Sequence, residues 1–350
     1  MPTLVPPRHV LIVRTDHLGD MLLTLPAVHA LKVADPTCRV SVLASPANAE
    51  AARHDPEVDH VEVDPLEAKG SGLRGVRALA RQLRGLRCDA AVVVHPTPRL
   101  ALAVFLAGIP IRIGTAYRAY SLLFNRRIRQ HRRRPPWRHE SQYNVELLAP
   151  LGVRAATVTP GTWRVGPDEA TMVERLLRTH DALAAPLVVL HPGNAGSAMN
   201  WAAAQYGDLG RRLAAGGVRI AVTGGRSEGE LTAEVARLVG AAAIDLGGLL
   251  TLPQLAALLA RSVLYVGSAT GPTHLAAAVG TPVLALYSPL HSSAPPRWRP
   301  LGADVHVLQP AVDVVCPKCL GPACPYYHCM QRHLSVDAVE QAAARVLAKA

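Results

Sequence analysis

Short apolar runs alternate with stretches of helical periodicity along nearly the whole chain. The strand candidates of a first series are VLIV (10–13), RVSVLA (39–44), HVEVD (60–64), DAAVVV (89–94) and IRIG (111–114). Between them the spacing predicts helices over 24–34, 46–54, 72–86 and 98–108. A second series repeats the scheme, with strands over 186–193, 219–224, 243–248, 263–267, 282–288 and 304–310. Its helices fall over 206–216, 228–240, 252–262 and 271–280. Strands that are apolar throughout, each followed by a helix, predict parallel sheets covered on both faces. The chain therefore reads as α/β, with two doubly wound domains, 1–160 and 161–334, joined near VTPGTWRVGPDE (158–169). A last helix, 335–350, starts at the cap candidate Ser335 and is expected to pack back on the N-terminal domain.

Composition narrows the class. Hydrophobic residues make up 49% of the 350, which suits globular domains with full cores. No charge-free run of 18 apolar residues occurs, so no membrane-spanning helix is expected. The opening MPTLVPPRHV lacks a secretory h-region, and a cytoplasmic location is expected. The formal charge of +11 suggests an anionic partner. With aromatics at only 4%, no stacking platform among Lys and Arg stands out, and nucleic acid is not expected. The segment 112–138 holds nine arginines and no acid. It is either a solvated loop or a face for anionic lipid head groups or a phosphorylated acceptor, which would make the protein peripheral on the inner face of the cytoplasmic membrane.

Ligands of doubly wound folds collect at the carboxyl ends of strands, where helix N-termini present N–H groups. The first such turn is RTDHLGDMLLTLP (14–26). Gly19 permits close backbone approach and Asp20 follows it. That carboxylate either sits in the field of the helix dipole, worth about 0.3–1 kcal/mol, or faces a substrate. The second turn is LHPGNAGSAMNW (190–201), whose small polar loop can offer donors to a phosphate or be ordinary surface. In VTGGRSEGE (222–230), Glu228 either bonds a ribose or base or belongs to the first turn of the next helix. In YVGSATGPTHLAAAVG (265–280), Ser268, Thr270, Gly271 and Thr273 lead into a helix, and His274 lies in its first turn. Hydroxyls and a glycine at a helix N-terminus suit an anion.

Six cysteines are present. Cys38 and Cys88 are isolated and read as core thiols. Cys316, Cys319, Cys324 and Cys329 form CPKCLGPACPYYHC, which is either a structural zinc site of unusual spacing or a set of reduced or paired thiols.

Together VLIVRTDHLGDMLLTLPAVHALK (10–32), HPGNAGSAMNW (191–201), TGGRSEGE (223–230) and TGPTHLAAAVGTPVLALYSP (270–289) resemble glycosyltransferase family 9, the bacterial heptosyltransferases of lipopolysaccharide synthesis and their relatives. RWRP (297–300) and the cysteine cluster resemble one branch of it. The resemblance implies a GT-B architecture of two Rossmann-like domains with a central cleft. It implies an inverting transfer without metal or cofactor in catalysis, from a nucleotide-sugar such as ADP-heptose to a lipopolysaccharide-core or other anionic glycan or glycolipid acceptor. Asp20 would be the general base, with Arg14, His17 and Gly19 on the acceptor side. The donor would meet His191, Gly193, Ser197, Trp201, Gly224, Glu228, Ser268, Thr270, Gly271, Pro272, Thr273 and His274. Two positions depart from the family pattern. Met199 stands where members often carry Lys or Arg, and Ala269 where many carry Asp. They motivate the alternative of a catalytically weak relative that binds a nucleotide-sugar or glycan. Another arginine, such as Arg14, Arg226 or Arg297, could supply the missing charge. A nucleotide-dependent oxidoreductase is disfavoured because no GxGxxG with a later ribose-binding acid is present.

Overall fold

The computed structural model describes residues 7–64, 72–132, 138–154, 158–194, 196, 198–312 and 316–349. The chain divides into two compact units, Met1–Trp163 and Arg164–Ala350. The first unit holds one sheet of β1 (His9–Val13), β2 (Arg39–Ala44), β3 (His60–Val63), β4 (Ala90–Val93), β5 (Ile111–Thr115) and β6 (Arg126–Ile128). The strands run parallel in the order β3-β2-β1-β4-β5-β6. The helices are α1 (Leu18–Leu22), α2 (Leu25–Ala34), α3 (Ala49–Arg53), α4 (Gly72–Gly85), α5 (Pro98–Leu106) and α6 (Glu140–Glu146).

Local chemistry accounts for these elements. The five residues of β1 are all buried, as a central strand covered on both faces requires. In α4, Val76, Leu79, Ala80 and Leu83 form the buried stripe, and the arginines lie on the other side. The predicted helix over 24–34 is preceded by the separate α1. Pro26 sits in the first turn of α2, and a helix continuous from α1 would drive its ring into the carbonyl of Leu22. β6 was not expected, because a three-residue edge strand reading RRI carries no apolar alternation.

The second unit repeats the plan with β7 (Leu187–His191), β8 (Arg219–Val222), β9 (Ala243–Asp245), β10 (Leu264–Ser268), β11 (Val283–Leu286) and β12 (Val305–Leu308). Their order is β12-β11-β10-β7-β8-β9. Around them lie α7 (Pro167–Thr179), α8 (Ala203–Ala215), α9 (Gly229–Val239), α10 (Leu252–Ala260), α11 (Gly271–Ala278), α12 (Pro295–Trp298), α13 (Cys329–Arg332) and α14 (Val336–Leu347). Counted along the chain, both sheets read 3-2-1-4-5-6, so each reverses direction between its first and fourth strands.

Two sequence expectations change here. The linker 158–169 is shorter than its composition suggests. Trp163 is buried in the first unit, its ring stacked 4.4 Å from that of His54, while Pro167 already opens α7. The final helix, expected to pack back on the N-terminal domain, packs in the core of the second unit. Val339, Ala342, Ala343 and Val346 of α14 join the second unit's core with Val188, Leu190, Val266 and Leu284. Arg212 of α8 also pairs with Asp337 at 2.6 Å and Glu340 at 2.9 Å. Ser335 caps the helix as predicted, accepting from the Ala338 amide at 3.2 Å. No helix among the described residues is long and apolar enough to cross a membrane.

Candidate active site

In the first unit the polar groups gather where the strand order reverses, at the C-terminal ends of β1 and β4. Arg14 leaves β1 with its side chain only 3% exposed. Its Nε donates to Asp16 Oδ1 at 2.6 Å, its Nη2 donates to Asp20 Oδ1, and its Nη1 lies 3.6 Å from Glu140 Oε1 at the start of α6. Asp16 also meets His95, just beyond β4, at 3.1 Å. Glu140, itself buried, accepts from Arg132 Nη1 at 2.7 Å. Three carboxylates thus surround two guanidinium groups. Asn48 fixes the backbone here by donating to the carbonyls of Arg14 and Asp16. Asn144 of α6 does the same for Leu23, between α1 and α2.

The two aspartates differ. Burial opposes ionisation of Asp16, but the bond from His95 and the charge of Arg14 hold its carboxyl down at about 2. Asp20 goes the other way. Burial raises it above the ordinary carboxylate range, and repulsion from Asp16 and Glu140 offsets part of the pull of Arg14. Its carboxylate joins the Arg14 cluster from the first turn of α1. Of the three residues expected on the acceptor side, only His17 is exposed; Gly19 and Arg14 are buried. Arg14 is paired with Asp16 and Asp20. Asp16, His95, Arg132 and Glu140 escaped sequence reasoning. Asp16 lay within the quoted motif, whereas nothing local linked residues near 95 and 140 to it.

In the second unit the C-terminal ends of β10, β7 and β8 lie side by side, with His191 in register with Gly267. His191 is buried and shares a 2.9 Å bond with Thr223 Oγ1. Burial pushes its pKa down to about 4, against a small opposing effect of Glu228, so the ring is neutral near pH 7. Glu228 accepts from the Gly225 amide at 2.7 Å, and a side chain at Gly193 would collide with its carboxylate. Thr232 packs under Gly224 in the same way. At α11, Thr270 stands at the N-cap position without a side-chain bond to a helix backbone amide, its Oγ1 meeting Thr273 Oγ1 at 3.5 Å instead. Thr273 turns inward, donating to the Ser268 carbonyl and meeting Tyr265 Oη at 3.1 Å. The Ser268 hydroxyl is buried with no hydrogen-bond partner among the described residues. An orphaned hydroxyl beside an uncapped helix N-terminus is what an anion-binding turn presents. Gly271 and Pro272 are half-buried there, and His274 is buried in the first turn.

Other expected donor residues are placed differently. Trp201 is buried in the core, edge-on to Tyr206, and its Nε1 donates to the Leu334 carbonyl at 2.9 Å. Neither its face nor its N–H is open to a nucleotide. Met199 packs against the same core, so its apolar side chain has a structural use. Ser197 lies outside the described residues. The loop around it is held by Asn200, which donates to the Pro192 carbonyl at 2.6 Å and accepts from Tyr206 Oη at 2.8 Å.

Cys316, Cys319, Cys324 and Cys329 are free thiols. Among the described residues no three His, Cys, Asp or Glu side chains come together as a set of metal ligands. Cys329 is turned into the second unit's core beside Met330, and Cys316 is tied through its backbone to Pro289 and His291. Burial, then the neighbouring thiols, raises the pKa of Cys316.

Two six-stranded parallel sheets, each with its polar groups at the strand-order reversal, define the class of two-domain α/β glycosyltransferases. The chain belongs to glycosyltransferase family 9 (heptosyltransferase), whose model matches residues 76–328. It is 28% identical over 310 residues to a putative glycosyltransferase of Haemophilus influenzae, covering 85% of this chain and 88% of that protein. It is 26% identical over 287 residues to lipopolysaccharide heptosyltransferase 3 of Escherichia coli, covering 81% and 83%. The glycosyl transferase family 9 structure from Veillonella parvula shares its fold with a TM-score of 0.85 at 20% identity, over 98% of both chains. E. coli heptosyltransferase WaaC, solved with ADP-2-deoxy-2-fluoro heptose, has a TM-score of 0.69 at 22% identity, covering 96% of this chain and 99% of that one.

Proposed function

We propose that the protein is an inverting, metal-independent sugar transferase. Its donor would be a nucleoside diphosphate sugar of the ADP-heptose kind, and its acceptor an anionic cell-surface glycan or glycolipid such as a lipopolysaccharide core at the inner face of the cytoplasmic membrane. The observation that carries this is the state of Asp20, a partly exposed carboxylate raised by burial at the strand-order reversal of the first sheet. Such a group accepts a proton better than an ordinary aspartate. In the transfer, Asp20 takes the acceptor hydroxyl proton as that oxygen bonds to the anomeric carbon from the face opposite the phosphate. The bond from that carbon to the phosphate oxygen breaks, and its electron pair leaves with the nucleoside diphosphate. Inversion follows from the opposite-face attack.

The α11 N-terminus and the Ser268 hydroxyl would receive the developing charge, in the role that a cation fills elsewhere. The donor class is supported by the heptosyltransferase relative and by the nucleotide-sugar analogue held by WaaC. With Met199 in the core, Arg226, exposed beside Glu228, is the better source of positive charge for the phosphates. A thermal-shift panel of nucleotide-sugars tests the donor, because a ligand that binds only the folded chain raises its melting temperature. No shift with any ADP-, UDP- or GDP-sugar would overturn this reading.

A further inference from the structure

The fold redistributes the arginine-rich segment. Arg112 is committed to the carbonyls of Leu123 and Ile109, Arg132 to Glu140 and Gln130, and Arg138 to Glu146. Arg118, Arg126, Arg127 and Arg129 remain exposed, with no ion pair among the described residues. Beside them lies an unusual concentration of bare apolar surface. Of nine exposed large hydrophobic side chains among the described residues, four lie between residues 105 and 122: Phe105, Leu106, Tyr117 and Leu122, the last 77% exposed. Phe105, Leu106 and Leu122 come from two elements packed together, the end of α5 and the turn Ala119–Leu123, and Tyr117 lies just before that turn. Arg112 binds the two, its guanidinium 5.3 Å from the Phe105 ring centroid while it donates to the Leu123 carbonyl.

We propose that this face of the first unit, Phe105, Leu106, Tyr117 and Leu122 fringed by the exposed arginines, docks on a bilayer rich in anionic lipid. The apolar side chains would enter the head-group boundary while the guanidinium groups meet phosphates. The charge selects this occupant. A symmetric contact between two copies would set the same arginines against each other, with no carboxylate in 112–138 to relieve them. Against nucleic acid, Leu122 would have no work to do. The proposal rests on the reading that the acceptor is held at a membrane, but its test involves no sugar transfer, so either can fail alone.

The experiment is co-sedimentation of the full chain with phosphatidylglycerol/phosphatidylethanolamine vesicles and with pure phosphatidylcholine vesicles, at low and high salt. Binding is expected to the anionic vesicles only, and to weaken with salt. Each neutralised arginine in Arg126→Gln and Arg127→Gln should reduce partitioning roughly fivefold. Leu122→Ser should reduce it by a similar factor without altering the salt dependence, whereas Leu249→Ser, an exposed leucine of the second unit, should change nothing. Equal binding to phosphatidylcholine, no binding to either, or indifference to the Leu122 and arginine variants would overturn the proposal. So would a concentration-dependent dimer in light scattering that Leu122→Ser abolishes.

Discussion

Arg14 Nη1 lies 3.6 Å from Glu140 Oε1, which ties the end of the first strand to the start of a helix far along the chain. Arg14 also serves Asp16 and Asp20. One guanidinium divided among three carboxylates neutralises none of them fully. Asp16 has His95 as a second partner and Glu140 has Arg132, so Asp20 is the acid left with the weakest hold on its charge. That places a carboxylate of raised pKa beside a fixed cation.

Asp20→Asn keeps the shape of the side chain and removes its basicity. The variant should melt near the wild-type temperature and bind donor, while kcat falls by roughly 10²–10⁴, the usual worth of a general base. Equal losses of donor affinity and turnover would mean a structural role.

Arg14→Ala leaves buried carboxylates without their shared cation. Breaking a buried pair in this way costs about 3–5 kcal/mol, to be measured by chemical denaturation. A loss below 1 kcal/mol, the usual worth of an exposed pair, would show that water already screens the cluster.

Glu140→Gln removes a like charge that raises Asp20. Asp20 should then ionise at lower pH, and the acid limb of the kcat/KM profile should move down with it. An unmoved limb would mean that Glu140 does not influence the base.

His191 is held at about 4 against an ordinary 6.5, first by burial. A depressed histidine contributes stability above its unfolded pKa and loses it as pH falls towards the folded value. Between pH 7 and pH 5 the loss is about 2 kcal/mol. His191→Gln should flatten that part of the stability curve relative to wild type. Parallel curves would show that the ring charges without penalty.

Trp201→Phe keeps the packing and loses the bond to Leu334. It should cost about 1 kcal/mol of stability and leave donor affinity unchanged. A drop in affinity with no change in melting would return Trp201 to the binding site.

Much of the architecture was legible along the chain. RVSVLA became β2 with the expected ends, and Ser335 capped its helix where predicted. Burial on both faces of a parallel sheet writes itself into a strand as a continuous apolar run, and a covered helix face as a repeating stripe. These signals span a few residues and need no distant partner. The turns after β1, β7, β8 and β10 were found for the same reason, since each joins an apolar run to a helix start through small polar residues.

The tertiary structure decided what those turns touch. Asp16 meets His95 because β1 and β4 are neighbours in the sheet, a consequence of strand order that no local pattern encodes. Glu140 reaches Arg14 because α6 packs against α2, and Trp201 enters the core because α14 closes over α8. A carboxylate's charge depends on every group within a few ångströms, and a tryptophan's use on whether its N–H finds a buried carbonyl. Both are set by which distant segments the fold brings side by side.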